Sequence, residues 1–236
     1  MKTKLQMIGL MAVAASTALG VVVDGLTVSR KPKEGESARY KMQADVDFGG
    51  MALKAKFVVS EKVTKVEADG TYKVEQAQLE GKIDMNGQEQ DLPSGNPSTT
   101  VYAKDGTVKE ITGDQTTADT YRMANLGVVF DPGKPLNVGD TWSYDFKKDA
   151  KTGAVAAKGT YKLLAEEKVG SFDTLKIQVN VKESEGTDPA ANDGTVWISK
   201  TDGSVVKMDQ KWTNAPFPGA PAPINATVKM DREEAK

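Results

Sequence analysis

Apolar and polar residues alternate through most of this chain, most strictly from Val138 to Phe146, where Trp142, Tyr144 and Phe146 fall on one face of a strand and Ser143 and Asp145 on the other. The same period of two runs from Tyr40 to Phe48. Gly49-Gly50 can supply the positive φ angles of a tight hairpin, and Leu53, Ala55, Phe57 and Val59 alternate back. The polar faces of these two strands set Asp45 and Asp47 against Lys54 and Lys56, read as cross-strand charge pairing. A second unit turns at Asp69-Gly70, and the change of phase between Val74 and Ala77 predicts a β-bulge near Gln76. Asn86-Gly87 is a specific two-residue turn signal; residues 88–98 read as a polar loop, and strands at Val101–Ala103 and Val108–Ile111 flank Asp105-Gly106.

One segment breaks the β pattern. Thr116 to Gly127 predicts a short helix, capped by Thr116 or Thr117, with Asp119 in its first turn and Gly127 at its end. Alternation then resumes to Ile224–Met230, interrupted by a run with prolines at 216, 218, 221 and 223, which cannot join a central strand and reads as a surface connector.

The two halves echo each other. Gly35-Glu36-Ser37 and Tyr40 precede Gly139-Asp140-Thr141 and Tyr144 by 104 positions, Leu53, Phe57 and Val59 precede Ala157, Tyr161 and Leu163 by the same offset, and Asp105-Gly106-Thr107-Val108 recurs as Asp202-Gly203-Ser204-Val205. Alternation explains the apolar matches; turn motifs recurring in the same order point to a duplication. The predicted repeats are residues 35–113 and 139–209, sharing one core and related by an approximate two-fold.

Composition narrows the function. Lys2 and Lys4, the apolar Leu5–Ala15 and the small residues from Ser16 to Gly20 predict a signal peptide over residues 1–20, followed by a single domain over 21–236. Its removal deletes two lysines and no acid, leaving 29 basic against 33 acidic residues, a formal charge of −4. That balance argues against nucleic acid as a partner. The chain has no cysteine and no histidine, which excludes Ser-His-Asp and Cys-His catalysis and His-ligated zinc. No phosphate loop or calcium-loop spacing occurs, so no cofactor and no metal are expected.

Three stretches carry a resemblance: Gly139-Asp140-Thr141-Trp142-Ser143-Tyr144, the hairpin from Lys168 to Ile177, and Val196-Trp197-Ile198-Ser199 followed by Asp202-Gly203. In this order they resemble uncharacterised exported bacterial β-rich proteins and, more distantly, the half-barrels of periplasmic lipoprotein carriers. The resemblance implies an extracytoplasmic curved sheet around an apolar cavity.

These readings predict an all-β, internally duplicated antiparallel sheet, a curved half-barrel or a sandwich, with about nine or ten strands and one short helix. The function expected is non-enzymatic binding or carriage of an apolar small molecule such as a lipid, lined by Trp142, Tyr144, Phe146, Tyr161 and Trp197, with no transmembrane segment in the mature chain. A structural or interaction module of the cell envelope, with the same aromatic residues packed as core, is the alternative.

Overall fold

A computed structural model describes residues 25–48, 51–85, 87–114, 116–217, 220 and 222–234. The predicted signal peptide, the Gly49-Gly50 turn, Asn86 and prolines 218 and 221 lie outside them. The strands are β1 (Ser37–Phe48), β2 (Met51–Val66), β3 (Tyr72–Met85), β4 (Gln88–Leu92), β5 (Ser98–Tyr102) and β6 (Val108–Thr112). After helix α1 (Ala118–Gly127) come β7 (Thr141–Phe146), β8 (Ala157–Val169), β9 (Phe172–Glu183), β10 (Ala191–Ser199), β11 (Val205–Ala215) and β12 (Ile224–Arg232).

All twelve strands belong to one antiparallel sheet in the order β6-β5-β3-β2-β1-β12-β11-β10-β9-β8-β7, with β4 paired to β3. The sheet is open, with β6 and β7 at its ends. Twelve strands exceed the nine or ten expected. β4 is the clearest addition: the stretch read as polar loop pairs with Gly81–Met85, and it carries no alternation because Gln88 to Asp91 are all exposed. The bulge in β3 sits at Leu79, since Val58 pairs with Glu80 and Val59 with Gln78. It shifts the inward phase from Tyr72, Val74 and Gln76 to Gly81, Ile83 and Met85. The register also sets Asp45 opposite Lys54.

Two hairpins repeat in detail. Asp105 Oδ1 accepts hydrogen bonds from Thr107 N at 2.9 Å and Thr107 Oγ1 at 2.5 Å; Asp202 Oδ1 accepts from Ser204 N at 2.9 Å and Ser204 Oγ at 2.6 Å. Gly106 and Gly203 both take positive φ, and each hairpin has a register shift just before the turn, at Val101/Tyr102 and at Trp197/Ile198. The first hairpins differ. Val46 pairs with Leu53, seven positions on, and Phe146 with Ala157, eleven on, so one offset of 104 cannot hold for both arms. If β1, β2, β3, β5 and β6 correspond to β7 through β11, the two sets run in the same order along the sheet, displaced rather than rotated about a two-fold. β12 then lies between them, joining β1 to β11.

Rows of side chains cross the inner face of this sheet. One runs Gly81, Phe57, Met42, Met230, Met208, Val196, Ile177, Leu163, from β3 to β8. Over the β7–β10 half, the inner face is covered by α1 and by the segments around Leu26 and 128–136, where Leu126 and Leu136 are buried and Leu26 bridges to Leu136. Polar ties hold this cover in place. Tyr121 Oη accepts from Ile111 N of β6 at 3.0 Å, while Arg122 forms a two-pronged ion pair with the buried Glu183 of β9, at 2.7 Å for both Nε–Oε1 and Nη2–Oε2. A ten-residue helix is about 15 Å long, so it brings a terminal strand and a strand near the other end to one element.

Candidate binding cleft

The five aromatic residues expected to line a ligand site are placed in two different ways. Trp142, Phe146 and Tyr161 are buried on the inner face, with Tyr144 half-buried beside them. Trp142 stacks on Tyr161 at 5.4 Å between centroids, Tyr144 on Phe130 at 3.5 Å, and Phe146 meets Tyr144 edge-on at 4.8 Å. Their polar ends are occupied: Trp142 Nε1 donates to Phe130 O at 2.9 Å and Tyr161 Oη to Val128 O at 3.0 Å. Burial also pushes the Tyr161 hydroxyl well above the usual phenol range. Trp197 lies on the opposite face, between its cross-strand neighbours Lys176 and Lys207, whose ammonium groups each sit 5.1 Å from its ring, and its Nε1 donates to Glu167. None of the five lines the cavity described next.

That cavity, of about 210 Å³, opens where β1, β2, β3 and β5 approach the β10–β11 turn and the 128–131 segment. Tyr40, Tyr72 and Tyr102 line it together with Glu61, Val63 and Arg30. Each arrives for a local reason. Tyr40 and Val63 occupy inward strand positions; Tyr72 begins β3 immediately after the Asp69-Gly70-Thr71 turn, which Asp69 Oδ1 closes by accepting from Thr71 N at 2.8 Å. Tyr102 is the cross-strand partner of Tyr72, and the two rings stack at 5.2 Å.

Glu61 is the anomaly. Leu53, Ala55, Phe57, Val59 and Val63 share its phase on β2, so a carboxylate stands in an otherwise apolar row. Gln76 Nε2 donates to it at 2.5 Å, and the Tyr40 hydroxyl also hydrogen-bonds to it. Burial dominates and holds the Glu61 pKa above its ordinary 4.5, with those hydrogen bonds and the more distant Arg30 and Arg232 pulling the other way. Burial likewise pushes the Tyr72 hydroxyl up to about 12 and raises Tyr40, with the Glu61 charge adding to both. Arg30 is committed to Glu36 Oε1 at 2.7 Å and the Asp202 carbonyl at 3.0 Å; Arg232 is committed to Ser204 Oγ at 2.6 Å. The signal that could have found Glu61 in the sequence is its charge on the apolar phase of β2.

Beyond Glu61 the inner face continues along β2 and β3 without a cover among the described residues. Leu53, Phe57, Val59 and Ile83 are half-buried and belong to neither packed apolar cluster of the described residues. Gly81 lies against Phe57 and Leu92: a Cβ there would sit 3.0 Å from Phe57 Cβ and 3.3 Å from Leu92 Cβ.

No protein-family model matches the chain, and no curated relative does. Solved structures with a detectable likeness include an exported protein with a YmcC-like fold from Bacteroides fragilis, at 13% identity and a TM-score of 0.35, covering 89% of this chain and 100% of that one. A lipoprotein from Parabacteroides distasonis matches at 13% identity and TM-score 0.37, over 90% and 100% of the two chains. The hypothetical lipoprotein YmcC of Escherichia coli matches at 13% and 0.33, over 84% and 87%. At these identities and scores, neither ligand nor activity transfers to this chain. No helix among the described residues is long and apolar enough to cross a membrane.

Proposed function

We propose that this chain is an exported, non-catalytic binding protein that holds the apolar part of a ligand along the inner face of β1–β3, beside the cavity. One contrast carries the reading. On the β8–β9 half of the inner face, Leu163, Ile177 and Val179 are 0% exposed, whereas Leu53, Phe57 and Val59 of β2 and Ile83 of β3 are only half-buried. Soluble proteins rarely leave such a contiguous apolar strip uncovered unless something occupies it. The sheet is read as a curved half-barrel, because Tyr102 of β5 and Ile198 of β10 line the same small cavity although six strand spacings separate them, roughly 29 Å in a flat sheet. Leu53 to Val63 spans ten steps along β2, about 33 Å, enough for an extended acyl chain. Burial of apolar surface at about 25 cal/mol per Å² supplies the affinity. The absence of histidine and cysteine from the sequence agrees with a binding role.

The test is saturable uptake of phenylnaphthylamine, a probe that fluoresces in apolar surroundings. Wild type is expected to take it up, Phe57→Asp to weaken uptake about tenfold or more, and Tyr161→Phe, in the packed half, to leave it unchanged. No saturable uptake by wild type, or equal uptake by Phe57→Asp, would overturn the reading and leave an envelope interaction module.

A further inference from the structure

From the cavity we infer that it receives an alkylammonium group, the head of the ligand whose apolar part lies along β2; the inference rests on the binding role proposed above and adds the chemical class of the head. Three observations point the same way. First, Tyr40, Tyr72 and Tyr102 contribute three aromatic rings to one wall of about 210 Å³, and an ammonium within about 6 Å of a ring face is attracted by its quadrupole. Quaternary ammonium groups are recognised by such groupings of aromatic rings because they are weakly hydrated and cannot donate hydrogen bonds.

Second, Glu61 supplies a carboxylate among these rings with only neutral hydrogen-bond partners, Gln76 and Tyr40, and no cation at ion-pair distance among the described residues. Glu61 is half-buried, and a carboxylate partly withdrawn from water with no cation beside it carries a cost that an arriving cation offsets. The upward pull of burial on Glu61 is the same cost seen in its protonation.

Third, the charge of the lining is negative. It contains Arg30 and Lys104 against Glu36, Glu61, Asp105 and Asp131. The Arg30–Glu36 pair neutralises itself at 2.7 Å, leaving one exposed lysine against three carboxylates. Asp105 and Asp131 also serve as turn acceptors, for Thr107 N at 2.9 Å and Gly133 N at 2.8 Å, whereas Glu61 is held by Gln76 and Tyr40 among the rings and is the carboxylate placed to face a ligand. An anionic head group would meet this lining at a disadvantage.

The experiment compares decyltrimethylammonium, decyl sulfate and decyl maltoside, each below its micelle-forming concentration, as competitors for phenylnaphthylamine, with choline chloride as the head group alone. Wild type is expected to bind the ammonium amphiphile about tenfold more tightly than the other two. Glu61→Gln, close in shape, should remove that preference, and Tyr102→Leu should reduce it, while each variant retains a cooperative melting transition. Displacement by choline would make a soluble amine sufficient; ammonium preference without choline displacement would make the chain necessary, and both support the site. Equal affinity for ammonium and maltoside, or preference for sulfate, overturns the inference while the apolar site stands. Failure of all three amphiphiles to bind overturns both.

Discussion

Glu61 and Gln76 face each other as cross-strand partners of β2 and β3, and the Gln76 amide donates to the Glu61 carboxylate at 2.5 Å on the inner face of the sheet. This pair has a consequence for stability. Burial raises the folded-state pKa of Glu61 above its ordinary 4.5, so the folded chain holds that proton more tightly than the unfolded chain does. The associated stability is fully present below pH 4.5 and is lost as pH rises through the folded value. Glu61→Gln removes the titration. Its melting temperature is expected to exceed that of wild type at pH 8 and to approach it at pH 4, measured by circular dichroism. An equal difference at both pH values would refute the assignment.

Arg122 and Glu183 lock α1 onto β9. The Glu183 side chain is 2% exposed and accepts from Arg122 Nε and Nη2 as well as from Ala190 N at 2.9 Å. Arg122→Ala strands this carboxylate and should cost about 3 kcal/mol or more in urea unfolding. Adding Glu183→Leu should restore part of the loss, because the uncompensated charge is then gone. A double variant less stable than Arg122→Ala would show that the ion pair is not the source.

Gly106 and Gly203 occupy equivalent turns in different surroundings. Both have positive φ, where a Cβ costs of order 1 kcal/mol. Around Gly106 the nearest atom to an added Cβ is Val129 O at 3.5 Å, an ordinary contact, whereas at Gly203 that Cβ would lie 2.3 Å from Ser29 O and 2.8 Å from Arg30 Cα. Gly203→Ala should therefore be the more destabilising by about 1 to 3 kcal/mol in denaturant titrations, and it should also disturb the cavity through Arg30. Equal effects would mean that the 29–30 segment yields freely.

Much of the fold was legible in the chain because its causes are local. The Asp-Gly turns close through side chains two residues away, the period of two marks β1, β2 and β7, and Thr117 to Gly127 carries its own helix signals: Thr117 caps α1, and Thr120 Oγ1 accepts from Thr117 N at 3.1 Å. β4 was not legible, since an exposed edge strand buries nothing and leaves no apolar phase to read. Trp197 sits within three consecutive apolar residues, Val196 to Ile198, and alternation cannot say which of them points outward; the lysines that flank it across the sheet decide. Tyr144 and Tyr161 have the composition of a ligand wall, yet the 128–130 segment runs over them and supplies their partners from 14 and 33 residues away. The cavity depends on tertiary structure in the same way. Tyr40, Glu61, Tyr72, Tyr102 and Arg30 stand on four strands and a loop, and only the pairing of those strands and the docking of the β10–β11 turn and the 128–131 segment bring them to one place. What the sequence determined alone is therefore the strand pattern, the turns and the helix, each set by neighbours within a few residues. Which aromatics are packed, which face is left open and where a carboxylate is isolated were decided by contacts between distant segments.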